Sequence, residues 1–195
     1  MRRPEHRIEE DGKRVDTLKV GIVGSGWMGH VHSRAWRSNA PRAEVVAVAD
    51  VSPERTRALA DQFGDQKVAA YPDLATMLAE ADLDAVDICL PHHLHSDAII
   101  TAARAGKAIL CEKPLCTTLD DAIAIRAALD ESGAVFMAAH NQLFQPSLIE
   151  ARRLLASGAL GRTFVIRSIE AVQNRGFSTG TVSYTHLTLP TTPYV

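Results

Sequence analysis

The chain has little of what would tie it to a macromolecule or a membrane. Lysine and arginine number 21 against 23 aspartates and glutamates, so the net charge is only -2 and no basic field draws it to nucleic acid or anionic lipid. No apolar run reaches the length of a bilayer span. Residues 1–16 carry Arg2 and Arg3 with no apolar stretch behind them, so neither a secretory nor a twin-arginine leader is expected, and the cytoplasm is the expected location. Cysteine is scarce as well. Cys89, Cys111 and Cys116 are an odd count without C-x-x-C spacing, and they are expected to be reduced and packed as small apolar residues. What remains is a soluble chain whose expected partner is a small molecule. At 195 residues with 46% hydrophobic content, it has material for one core and part of another.

From Leu18 onward, short apolar or β-branched runs alternate with longer amphipathic ones, the rhythm of βαβ units around a parallel sheet. The pattern predicts strands over 18–23, 45–49, 67–70, 85–90, 108–111 and 135–139. Helices are predicted over 28–38, 53–63, 74–79, 96–105 and 119–132. Gly64, Gly106 and Gly133 fall where helices should close, and Pro53 and Asp73 where they should open. Six strands in this rhythm imply an α/β, doubly wound parallel sheet over 18–140, preceded by a charged, aperiodic extension over 1–17 that is expected to be disordered. After Asn141 the rhythm changes to a helix over 147–156, a turn at Gly158 to Gly161 and a long strand over 163–172. Residues 141–181 are therefore read as the start of a second, α+β open-sheet domain that is cut short.

Gly24-Ser25-Gly26-Trp27-Met28-Gly29 reads G-x-G-x-x-G. Alone that match is weak. Here it follows an apolar strand, opens a helix, and is followed by Asp50 at the end of the second strand, which is the context a dinucleotide requires. Gly24 permits the tight turn, Gly26 lets bare backbone approach a pyrophosphate, and Gly29 lets helix and strand pack closely. The first N–H groups of the helix, at Trp27 and Met28, then face the phosphates with the positive end of the dipole. Asp50 is placed to accept hydrogen bonds from the adenosine ribose, and its charge disfavours a 2′-phosphate, so NAD is the expected cofactor. Arg55 lies close enough in sequence to pair with such a phosphate, which leaves NADP open.

The fourth predicted strand leads through Leu90 into Pro91-His92-His93-Leu94-His95, and the fifth into Cys111-Glu112-Lys113-Pro114-Leu115. Together with the glycine turn and Ala105-Gly106-Lys107, in this order across 18–145, these motifs resemble the Gfo/Idh/MocA family of NAD(P)-dependent oxidoreductases. The resemblance implies a Rossmann domain in which Lys113 reaches the cleft beside the nicotinamide and the substrate hydroxyl, with Pro114 after a cis bond. An ammonium suits that place because it can hydrogen-bond or polarise the hydroxyl whose carbon loses hydride. The resemblance also implies that His95 lies at the cofactor end of the cleft with His92 and His93 facing the same region, that Glu112 belongs to the lysine motif, and that Asn141 is a contact of the segment leaving the sixth strand. No ligand set for a metal is recognisable around these histidines, His32 is expected to be a packing or capping residue, and His140 is equally open to a site or a structural role. Leu143 stands where many members carry arginine, so substrate contacts are not transferred there.

Members of that family carry a second domain for substrate specificity and oligomer contacts, with an Asp-x-x-x-His element supplying an acid/base histidine. This sequence has no such element. Residues 182–195, Val-Ser-Tyr-Thr-His-Leu-Thr-Leu-Pro-Thr-Thr-Pro-Tyr-Val, instead match a translation of the transposon-end adaptor used in sequencing libraries, so native sequence is expected to end near Thr181. The resemblance implies hydride transfer on a sugar, inositol or related polyol, by a homo-oligomer in the full-length parent. Two alternatives stand beside it: an NAD-dependent glycoside hydrolase of the same superfamily, and a cofactor-binding fragment without activity.

Overall fold

The computed structural model describes residues 7–8, 14–15 and 17–167. By its packing the chain divides into one unit, Met1–Gln145, and a second, Pro146–Val195. In the first, two short strands, β1 (Arg7–Ile8) and β2 (Arg14–Val15), pair antiparallel within the segment expected to be an extension. The main sheet follows, built from β3 (Leu18–Val23), β4 (Ala43–Ala49), β5 (Ala69–Tyr71), β6 (Ala85–Ile88), β7 (Ala108–Cys111) and β8 (Phe136–Ala138). All five pairings are parallel, in the order β5-β4-β3-β6-β7-β8. The six expected strands are all there, two with their expected bounds and four with shifted ends: the second, for example, begins at Ala43 and the fourth ends at Ile88.

The crossovers are α1 (Trp27–Ser38), α2 (Pro53–Ala60), α3 (Leu74–Glu80), α4 (His95–Arg104) and α5 (Leu119–Ser132). Their starts follow local chemistry. Pro53 occupies the first turn of α2 behind a Ser52 cap, the Asp73 carboxylate accepts from the Thr76 N–H at 2.7 Å, and Thr118 caps α5 through the Asp121 N–H at 3.1 Å. The predicted helix over 53–63 is α-helical only to Ala60 and tightens to a 3₁₀ turn over Asp61–Phe63. His92–Leu94 likewise form a 3₁₀ turn ahead of α4.

Winding reverses between β3 and β6, so the sheet carries apolar clusters on two faces. Val20, Ile22, Val45 and Val48 pack with Leu59 and Phe63 beside α2, while Val23, Val86, Ile88 and Ile109 pack with Met77, Ile99, Ala102 and Ile125 from α3, α4 and α5. Neighbouring strand residues alternate between the clusters, as Ala85 and Val86 do. Each fully buried aliphatic side chain contributes about 1.5–3 kcal/mol. Cys89 and Cys111 are buried in this core and Cys116 is half-buried, all three free.

The second unit contains α6 (Pro146–Ala156), one residue longer than expected, followed by turns to Leu160. The first five residues of the predicted long strand, 163–167, carry no strand pairing, because no partner strand meets their backbone among the described residues. The rest of that strand and the 182–195 tail lie outside the described residues. No helix among the described residues is long and apolar enough to cross a membrane.

Candidate functional site

In a parallel sheet every strand delivers its C-terminal end to the same edge, and the reversal between β3 and β6 opens a crevice there. The glycine turn sits at that point. The Gly24 N–H donates to the Ala49 carbonyl at 2.8 Å, and the Cys89 N–H to Val23 at 2.7 Å. Gly24 has φ 97°, and a Cβ on it would stand 2.4 Å from the Cys89 carbonyl oxygen; a Cβ on Gly29 would stand 2.1 Å from that of Gly24. Both glycines are thus demanded by the protein itself. Gly26 is different. Its φ of -79° suits any residue, and a Cβ there would meet no atom within 4 Å. Gly26 is the N-cap of α1 and offers no side chain to cap it, and no acidic residue lies in the first turn, so the positive end of the helix is left bare. Trp27 beside it is 72% exposed, and Met28 is half-buried against the cluster beside α2.

Asp50 closes the turn from the end of β4. Its Oδ2 accepts the Ser25 N–H at 2.8 Å, and its Oδ1 accepts the Ser52 N–H at 2.9 Å and the Arg55 Nη2 at 2.8 Å. Burial works to raise the Asp50 carboxyl, but these hydrogen bonds outweigh it and hold the group below its ordinary value. Arg55 is therefore engaged with Asp50, where sequence spacing left it open to a phosphate. The two oxygens are loaded unequally, and Oδ2 carries a lone pair free for a further donor.

Leu90, Pro91 and His92 leave β6 on the same edge, and Glu112 and Lys113 leave β7. Lys113 is exposed, and the Lys113–Pro114 bond is cis. Burial, then the charges of His95 and Lys113, lower the His92 imidazole. His95 is fully buried, with Nδ1 2.8 Å from the Pro114 carbonyl and Nε2 2.8 Å from the Leu90 carbonyl. Its ring packs edge-on to His92 at 5.7 Å. His95, which the resemblance puts at the cofactor end of the cleft, stands at this edge of the sheet, and its ring nitrogens join the loops after β6 and β7. Asn141 opens an exposed 3₁₀ turn, Asn141–Phe144, after β8.

One cluster lay beyond the sequence reading. Asp87, in the middle of the sheet, is fully buried. Its carboxylate accepts from Trp36 Nε1 at 2.7 Å and lies 2.9 and 3.0 Å from His32 Nδ1, while His32 Nε2 lies 3.1 Å from Glu112 Oε1. Burial acts to strip the His32 proton, but the hydrogen bonds to Asp87, Cys89 and Glu112 prevail and lift the imidazolium to about 12. Glu112 moves the opposite way: burial acts to raise it, but the hydrogen bonds from His32 and the Lys113 N–H prevail and lower it. His32 is thus an ion-pair partner, where a packing or capping residue was expected. The signal that could have found it was Asp87 itself, since a carboxylate inside an apolar central strand must be paired. His32, Asp87 and Cys89 also offer ligand atoms within 4.8 Å of one another. Hydrogen bonds join His32 to Asp87, and burial pushes the Cys89 thiol up to about 12.

Comparison with known proteins extends this geometry. A family model described as an oxidoreductase family with an NAD-binding Rossmann fold matches residues 18–140. D-apiose dehydrogenase of Paraburkholderia graminis is 37% identical over 150 residues, which cover 77% of this chain and 39% of that protein. Inositol 2-dehydrogenase 1 of Saccharopolyspora erythraea is 34% identical over 154 residues, covering 78% and 45%. The crystal structure of scyllo-inositol dehydrogenase from Lactobacillus casei, with NAD(H) and scyllo-inositol bound, superimposes with a TM-score of 0.70 at 26% identity over 75% of this chain and 43% of that one. The chain spans less than half the length of these relatives. Strand order, glycine turn and the match over 18–140 agree, and the chain belongs to the Gfo/Idh/MocA family of oxidoreductases.

Proposed function

We propose that this chain carries the NAD(H) site of an oxidoreductase that passes hydride between the nicotinamide and a hydroxyl-bearing carbon of a sugar, inositol or related polyol. Gly26 is the observation that carries the reading. Neither its backbone conformation nor its packing asks for glycine, so the missing side chain serves something that lies against the bare backbone at a helix N-terminus. A pyrophosphate has that shape and charge.

In this reading the N–H groups of Trp27 and Met28 hold the phosphates, and Oδ2 of Asp50 accepts a ribose hydroxyl beside the Ser25 N–H. Arg55, already paired with Asp50, gives a 2′-phosphate little to bind, so NAD is preferred over NADP. Leu90, Pro91 and His92 line the crevice toward the nicotinamide, with Asn141 at its far side. Bound NAD supplies the hydride acceptor. Lys113 donates a hydrogen bond to the substrate hydroxyl and stabilises the negative charge that develops on that oxygen. The dehydrogenases of apiose and inositol among its relatives support the substrate class. Cytoplasmic location and homo-oligomeric assembly through the remainder of the whole protein belong to the same proposal.

Titration with NADH and NADPH, followed by fluorescence, tests the cofactor part. NADH is expected to bind more tightly than NADPH. Gly26→Ala is expected to weaken NADH about ten-fold or more while the unfolding free energy stays within about 1 kcal/mol of the parent. Asp50→Ala removes a charged acceptor worth about 1.5–3 kcal/mol, so NADH weakens roughly 10- to 100-fold, and the freed Arg55 narrows the gap to NADPH. A folded chain that binds neither cofactor ends the proposal.

A further inference from the structure

We infer that His32 is a positioning residue for Lys113: from α1 it bridges Asp87 and Glu112, and Glu112 in turn holds the Lys113 backbone N–H. The inference rests on the reading of Lys113 as the group beside the reacting hydroxyl. The Lys113 N–H donates to Glu112 Oε2 at 2.9 Å, and the other oxygen of that carboxylate, Oε1, faces His32 Nε2 at 3.1 Å. On its far side His32 faces both oxygens of Asp87, which Trp36 anchors from one turn further along α1.

A ring standing between two carboxylates donates from both nitrogens, and only the doubly protonated form can do so. The groups facing it are Asp87 from β6, Glu112 after β7 and the Cys89 thiol, with Lys113 beside Glu112. On the other side of Lys113, the Pro114 carbonyl is held by His95 Nδ1 at 2.8 Å, and that ring is tied to Leu90. The residues flanking the lysine are therefore fixed by a half-buried histidine from α1 and a buried one from α4, while the lysine itself stays exposed. The helix that begins at the Gly26 cap thus also carries His32, whose Nε2 faces the Glu112 carboxylate that holds the Lys113 N–H.

Side-chain ¹⁵N NMR of His32 in the parent chain, from about pH 6 to about pH 9, is expected to show both ring nitrogens protonated throughout. A ring that loses its proton near 6.5 overturns the inference. Amide hydrogen exchange provides the second readout. His32→Ala, or the milder His32→Gln, is expected to lower the protection of the Lys113 amide about ten-fold beyond any fall at the Val20 and Ile22 amides in β3, which report the change in global stability. Unchanged Lys113 protection in either folded variant overturns the link. If neither variant folds, the ring titration in the parent chain decides alone. Neither readout needs cofactor: NADH binding alongside an unprotected Lys113 amide sinks the link and leaves the cofactor proposal standing, whereas failure to bind NADH sinks the reading beneath both.

Discussion

Replacing Asp87 with alanine is expected to destabilise the first unit by about 3–5 kcal/mol, the cost of removing one partner from a buried ion pair. The side chain is fully buried and serves Trp36 Nε1 and His32 together. Its loss strands the Trp36 N–H and leaves the His32 imidazolium with Glu112 alone. Urea unfolding measures the effect as a lower midpoint at an unchanged slope. Asp87→Asn keeps the volume but turns one donor toward the imidazolium, so it should recover only part of the loss. A free-energy change below about 1 kcal/mol for Asp87→Ala would show that the carboxylate is not paired as the structure has it. The pH dependence carries a definite sign. His32 has its folded value raised from 6.5 to about 12, so the stability it contributes is fully present below about 6.5 and is lost progressively as pH climbs toward 12. The gap between parent and Asp87→Ala should accordingly shrink from about pH 6 to about pH 10.

Gly29→Ala is expected to cost roughly 3 kcal/mol and to lower the unfolding midpoint by roughly 10 °C. The added methyl carbon would stand 2.1 Å from the Gly24 carbonyl oxygen, far inside contact distance, and that atom belongs to the backbone. Relief requires α1 to move away from β3. The Gly24 turn is itself tied to the sheet, its N–H donating to the Ala49 carbonyl at 2.8 Å. Calorimetry of Gly29→Ala beside Gly26→Ala separates two kinds of glycine within one motif: the first variant loses stability, and the second keeps it. Equal melting of both would mean that the close approach of helix and strand is not what Gly29 provides.

Much of this was legible along the chain. The apolar runs at 18–23 and 108–111 became β3 and β7 with those bounds, because a buried parallel strand must be apolar on both faces. Strand ends were harder to read. The second strand begins at Ala43, two residues before its β-branched run, since pairing of Leu18 with Ala43 in the sheet, and not side-chain preference, sets where it starts. Arg55 is a case in which tertiary contact adds to sequence spacing. Its spacing of five residues from Asp50 leaves a 2′-phosphate open to it, and the Ser52 cap and the first turn of α2 bring its guanidinium onto Oδ1.

By itself, the sequence determined the order of strands and helices, the glycine turn and its acidic partner, and the family, because each depends on residues close together in the chain or on a short motif in a fixed context. Tertiary structure alone decided that His32 meets Asp87 and Glu112, 55 and 80 residues away, and that the ring of His95 is occupied by the carbonyls of Leu90 and Pro114. Those contacts join the ends of different parallel strands at one edge of the sheet. No local pattern encodes them, since a charge in a strand announces only that it needs a partner, and the packing of α1 and α4 against the strand ends chooses which one.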